Sequence, residues 1–136
     1  MAVERQGFEP PEVMTRVIGG ERLYWHAYSV AGGQRLICIS GQVPRDKDGN
    51  VVGKGDMAKQ IEQVGENINA CLQAAGATLE DIVKITSFTT DIDEFFRHAS
   101  VRNRYFGKAM PASTAIEIRR LAHPDWMIEI EAMAVV

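Results

Sequence analysis

Residues 127–136, MIEIEAMAVV, alternate with a period of two, and this pattern constrains the fold more than any other stretch. In an extended strand successive side chains leave on opposite faces, so Ile128, Ile130, Ala132 and Ala134 share one face and Met127, Glu129, Glu131 and Met133 the other. The first face is uniformly apolar and suits a layer of helices. The second is half apolar and half acidic, with its two carboxylates about 7 Å apart along the strand. That mixture suits neither a dry core nor a plain solvent face; it suits an interface or the wall of a cleft.

The helices are legible upstream. From Asp56 to Ala75 the apolar residues Met57, Ile61, Val64, Ile68, Cys71, Leu72 and Ala75 recur at helical spacing, and Gly76 is a fitting stop. IVKITSFTT (82–90) is short and β-branched, which predicts a strand. Asp91 or Asp93 can cap a second helix carrying Phe95, Phe96, Ala99, Arg102 and Tyr105 or Phe106, ending near Gly107. The aromatic cluster reads as helix core. RLYWHAYSV and QRLICIS, separated by AGG, predict a hairpin, and RDKDGNVVGKG (45–55) a loop with a short strand at Asn50 to Val52. Two final strands, STAIEIRR and WMIEIEAMAVV, are joined by LAHPD, whose Pro and Asp favour a turn. The expected order is β-β-α-β-α-β-β, an α+β mixed sheet with two helices on one face, in a single domain over residues 1–136.

Composition excludes several classes of function. Fifteen basic and 18 acidic residues give a net charge of −3, which offers no broad attraction to phosphates, so no nucleic-acid partner is expected. Cys38 and Cys71 sit at apolar positions and read as small buried hydrophobes rather than a disulfide. No run approaches the roughly 18 apolar residues of a membrane span and no leader pattern stands at the N-terminus, so the expectation is a soluble, cytoplasmic protein without a membrane partner. His26, His98 and His123 are scattered, with no ligand spacing for zinc, and neither a nucleophile elbow, a phosphate loop nor a dinucleotide fingerprint is present. No metal and no organic cofactor is expected.

Against that background, SGQVPRDKDGNVVG, the pair Gln60 and Asn67, AAGATLEDIVKITSF, the YF at 105–106 and MIEIEAMAV together resemble the Rid family of reactive-intermediate deaminases, over about residues 28 to 136. The resemblance implies a chorismate-mutase-like fold and a homotrimer with small-molecule substrate clefts between subunits. It also implies hydrolysis of 2-imino or enamine acids to the 2-oxo acid and ammonia, by addition of water to the C=N carbon without a cofactor.

Carried over residue by residue, the resemblance places the acidic site residue on Glu129, a cleft tyrosine on Tyr28, and a cleft-lining segment on Ser40 and Gly41. The sequence departs from the family at PASTAIEI. Deaminating members carry P-A-R there, the arginine pairing with the substrate carboxylate; here the third residue is Ser113, and Ala115 stands where a cysteine is frequent. A hydroxyl offers one neutral hydrogen bond where a guanidinium offers two charged ones, a loss of about ten- to a hundredfold in affinity for a carboxylate. Arg102, Arg104, Arg119 and Arg120 are the candidate substitutes. Arg119 shares strand parity with Ser113 and is the expected one, against the plainer reading of a cross-strand ion pair with Glu129 or Glu131. Three functions remain: a C=N hydrolase with altered preference, a non-catalytic trimeric binder of metabolites or chaperone-like protein, and, last, a nuclease, which an acidic chain without a metal site does not favour.

Overall fold

The computed structural model describes residues 2–15 and 17–136; Met1 and Arg16 lie outside the described residues. The strands are β1 (Glu4–Phe8), β2 (Val17–Ile18), β3 (Glu21–Arg22), β4 (Ala27–Ala31), β5 (Leu36–Gln42), β6 (Ile82–Thr89), β7 (Ala112–Glu117) and β8 (Ile128–Val135). The helices are α1 (Met57–Ala74), α2 (Ile92–Arg97) and α3 (Ala99–Phe106), with a 3-10 turn at Leu79–Asp81. The fold is α+β: a four-stranded mixed sheet of order β5-β8-β6-β7, parallel only between β6 and β7, lies under the three helices.

The period-two reading of β8 holds. Ile128, Ile130 and Ala134 are fully buried and Ala132 nearly so, packed with Ile61, Val64, Ile68 and Leu72 from the predicted stripe of α1. Helix α1 starts on Asp56, whose carboxylate accepts the Lys59 amide at 3.1 Å, and ends before Gly76, which takes a positive φ of 76°. Two side chains of α1 tie it to the strands beneath. The buried Gln60 amide donates to the carbonyls of Gly53 and Asp125 and accepts the Met127 amide at 2.7 Å; Asn67 donates to the carbonyls of Val43 and Arg45. These residues, which carried part of the family resemblance, fix where β5 ends and β8 begins. Gly65 lets α3 approach closely, since a Cβ there would overlap the Tyr105 ring.

The structure corrects several expectations. β4 does not form a hairpin with β5. It pairs antiparallel with β1, where Gly7, opposite Tyr28, leaves room for the indole of Trp25; β5 pairs instead with β8, because Ile37 and Ile39 turn toward the same helices as Ala134 and Ala132. β7 and β8 are not neighbours either: both edges of β8 are taken, and β7 lies at the far side of β6. The expected second helix is two, α2 and α3, meeting at His98. The short strand at Asn50–Val52 is a single bridge between Arg45 and Val51. Cys38 is exposed, on the sheet face that the helices do not cover; both cysteines are free thiols.

Candidate functional site

The two faces of the four-stranded sheet carry different chemistry. On the uncovered face, Glu129 of β8 is half-buried beside an open cavity of about 460 Å³, whose wall includes Gly41, Phe88, Arg120 and Glu131. Gly41 sits in the irregular end of β5, where the register with β8 shifts between Ile39 and Gln42. A Cβ at Gly41 would overlap the Glu129 carboxyl, so glycine is what admits that side chain into the cavity. Among the described residues the Glu129 carboxylate has no hydrogen-bond or ion-pair partner. Beside it on the same face, Cys38, Lys84, Thr86, Glu131 and Met133 line a smaller cavity of about 190 Å³.

A third cavity, about 200 Å³, lies on the helix side of β7, and there the structure brings Ser113 together with Arg102. Arg102 belongs to the buried stripe Ala99, Arg102, Phe106 of α3 and is only 3% exposed. Its Nη2 donates to Ser113 Oγ at 3.3 Å and its Nη1 to Asn103 Oδ1 at 2.9 Å, while its guanidinium carbon lies 5.8 Å from the centre of the Phe106 ring. Desolvation by burial pushes its pKa down to about 10, which leaves it a cation at neutral pH. The remaining wall is apolar and aromatic: Leu23, Tyr24, Phe95, Phe96 and Ala115.

The sequence-derived site residues therefore divide. Glu129 and Gly41 share the large cavity of the uncovered face, and Ser113 lines the one on the helix side. Ser40 is exposed on β5 and lines neither, its carbonyl accepting from the Gln42 amide side chain. Tyr28 lies on β4, away from both cavities, where burial raises its phenol pKa against the opposing pull of Arg5. Arg119 is exposed, lines neither cavity and, among the described residues, forms no ion pair. Strand parity does not extend from Ser113 to Arg119, because β7 ends at Glu117 and the chain leaves the sheet before Arg119. Arg102 is the cation beside Ser113, and its signal was its place: an arginine in register with the buried residues of a helix needs a reason to be there. Among the described residues no group of three or more His, Cys, Asp or Glu side chains is placed to hold a metal ion, and no helix is long and apolar enough to cross a membrane.

The family model for endoribonuclease L-PSP matches residues 21–136. The chain belongs to that family, the Rid proteins. A RutC family protein of Pyrococcus abyssi is 42% identical over 73% of the chain and 77% of its own length. The 2-iminobutanoate/2-iminopropanoate deaminase of Salmonella typhimurium is 36% identical over 74% of the chain and 79% of its own. Among solved structures, the Rid family protein YyfB from Yersinia pestis superposes with a TM-score of 0.81 at 29% identity, covering 97% of this chain and 98% of that one. In this Rid protein the first 20 residues lie outside the family match, and the cavity wall at Ile18 comes from that segment.

Proposed function

We propose that this protein hydrolyses a reactive imine, enamine or related C=N metabolite to a carbonyl compound and ammonia, in clefts of a cytoplasmic homotrimer, with residues 1–136 acting as one domain. The observation that carries the reading is Glu129: a half-buried carboxylate without a partner among the described residues, facing a cavity that Gly41 keeps open. An unpaired carboxylate in such a place is a base in search of a proton donor. Water placed beside it gives up a proton to the carboxylate as its oxygen adds to the imine carbon, and the carboxylate returns that proton to nitrogen; the hydroxyl of the resulting carbinolamine then passes its own proton to nitrogen by the same route, the C–N bond breaks, and ammonia leaves as the carbonyl forms. The name of the Salmonella relative supports the same chemistry.

The uncovered sheet face supports assembly. Leu36 is 60% exposed and Ile116 43%, on the face that also carries Cys38, Lys84 and Glu129, a mixture a lone subunit would leave wet. Two free thiols suit a reducing compartment. One observation favours the non-catalytic alternative, a binder of small metabolites: Ser113 replaces the arginine on which the carboxylate of a 2-imino acid would pair.

The test is competitive trapping. An amino-acid oxidase generates a 2-imino acid, semicarbazide captures it, and the added protein should lower semicarbazone formation. Glu129→Gln should abolish that effect with the fold intact. Full turnover by the variant would remove Glu129 from the mechanism, and no effect of the parent protein across several side chains would leave the binding role.

A further inference from the structure

We propose that the cavity under α3 binds a small carboxylate carrying an apolar body, a ring or a branched chain, with Arg102 as the group that holds the charge. A guanidinium that is 3% exposed is a cation taken almost wholly out of water, and its hydrogen-bond partners among the described residues are two neutral oxygens, Ser113 Oγ and Asn103 Oδ1. No carboxylate of the described residues pairs with it. A buried cation so placed is costly unless an anion completes it, and the fork of a guanidinium matches a carboxylate in particular. The space in front of it is about 200 Å³, the size of a metabolite rather than of a peptide or nucleotide chain.

The walls decide what else the ligand must be. Phe95 and Phe96 of α2, Ala115 of β7, and Leu23 and Tyr24 present rings and methyl groups, with Ser113 the one hydroxyl of the strand side. Ser113 and Ala115 matter by their smallness: they leave room in front of the guanidinium that larger side chains would occupy. Part of the wall, Ile18, belongs to β2, outside the family match, and the turn that carries it is tied down by Glu21 of β3, which accepts the Asn103 amide at 2.5 Å. Asn103 thus joins the roof to the guanidinium, one side chain contacting both. This cavity lies on the opposite face of the sheet from Glu129 and shares no wall residue with the Glu129 cavity, so it is a second ligand site that stands apart from the hydrolase reading.

The test uses phenylacetate and its neutral isostere phenylacetamide, with binding read by calorimetry and by thermal shift on the intact assembly. Phenylacetate should bind and raise Tm in a dose-dependent way, phenylacetamide at least about tenfold more weakly, and acetate more weakly than phenylacetate because it leaves the apolar wall unmatched. R102M, which keeps the volume and loses the charge, should bind phenylacetate at least about tenfold more weakly; R102K should retain part of the affinity. Equal binding of acid and amide by the parent protein overturns the proposal whatever the variants do. So does the absence of any phenylacetate binding, the outcome expected if a carboxylate of another subunit fills the cavity. The hydrolase reading is judged separately: Arg102-dependent phenylacetate binding without turnover of any imine sinks that reading and leaves this site standing, whereas imine turnover with phenylacetate binding indifferent to Arg102 does the reverse.

Discussion

The two faces of the sheet end in opposite states. On the helix side nearly every group is answered: α1 fills the core, and Gln60 and Asn67 satisfy five backbone groups of the loops below. On the other side Leu36, Ile116, Cys38 and the carboxylate of Glu129 are left open. A side chain on the finished face should therefore be worth stability, and one on the unfinished face should be worth assembly or chemistry. Arg102 breaks the rule, being buried on the finished face with no counter-ion among the described residues.

The sharpest test of the finished face is Gln60→Leu. The variant keeps the volume at a fully buried position but abandons the Asp125 carbonyl and the Met127 amide, each worth about 1–3 kcal/mol when left unsatisfied, while the Gly53 carbonyl keeps the Asp56 amide at 2.8 Å. We expect a loss of about 3 kcal/mol or more in urea unfolding, with turnover falling as well because β8 begins at this clamp. A loss below about 1 kcal/mol would mean the clamp is ornamental. Glu129→Gln, on the unfinished face, should show the converse: turnover down about a hundredfold or more, Tm nearly unchanged. Ile116→Lys should leave the unfolding curve of the subunit alone and lower the mass seen in sedimentation, since it sets a charge into an exposed apolar patch of the open face. An unchanged mass would take that patch out of the interface.

How far these roles could be read from the sequence follows from how local each signal is. The period of β8 and the stripe of α1 are properties of single elements, and both hold, with only Cys71 and Ala75 at the end of the stripe left partly buried. Partner choice is not local. RLYWHAYSV and QRLICIS look like a hairpin because a Gly-rich turn joins them, but Gly7, twenty residues upstream, seats Trp25 and draws β4 to β1, which carries Tyr28 away from both cavities. Strand parity favours Arg119 over Arg102 only where the strand continues, and β7 ends at Glu117. Arg102 was visible on the apolar stripe of its helix, next to Ala99 and Phe106, but position on a stripe does not say what the charge faces. Glu129 and Gly41, by contrast, were placed together by resemblance and are together in space.

Arg102→Met is the substitution in which the two faces make opposite forecasts. If the finished face were all structural, removing a buried hydrogen-bonded side chain would destabilise the fold. Because the charge lacks a carboxylate partner, we expect Arg102→Met to be neutral or to stabilise by up to about 2 kcal/mol in the absence of ligand, as replacement of buried charges by apolar groups commonly does. A loss above about 2 kcal/mol would return Arg102 to the core.

The smallest effect is expected at Tyr105, where α3 meets α1. Its hydroxyl donates to Glu66 at 2.8 Å, and burial, with that hydrogen bond and the Glu66 and Glu62 charges adding to it, raises its pKa to about 12. The native state therefore holds the phenolic proton more tightly than the unfolded chain, whose tyrosine titrates near 10. The contribution is fully present below pH 10 and is lost as pH rises from 10 through 12. Tyr105→Phe keeps the ring over Gly65 and removes both the hydrogen bond and the ionisation. Near pH 7 it should cost about 1 kcal/mol or less, since the bond is partly exposed. Between pH 10 and 12 the gap to the parent protein should shrink, because only the parent has a phenol to lose. A gap independent of pH would show that Tyr105 serves the helix contact through its ring alone.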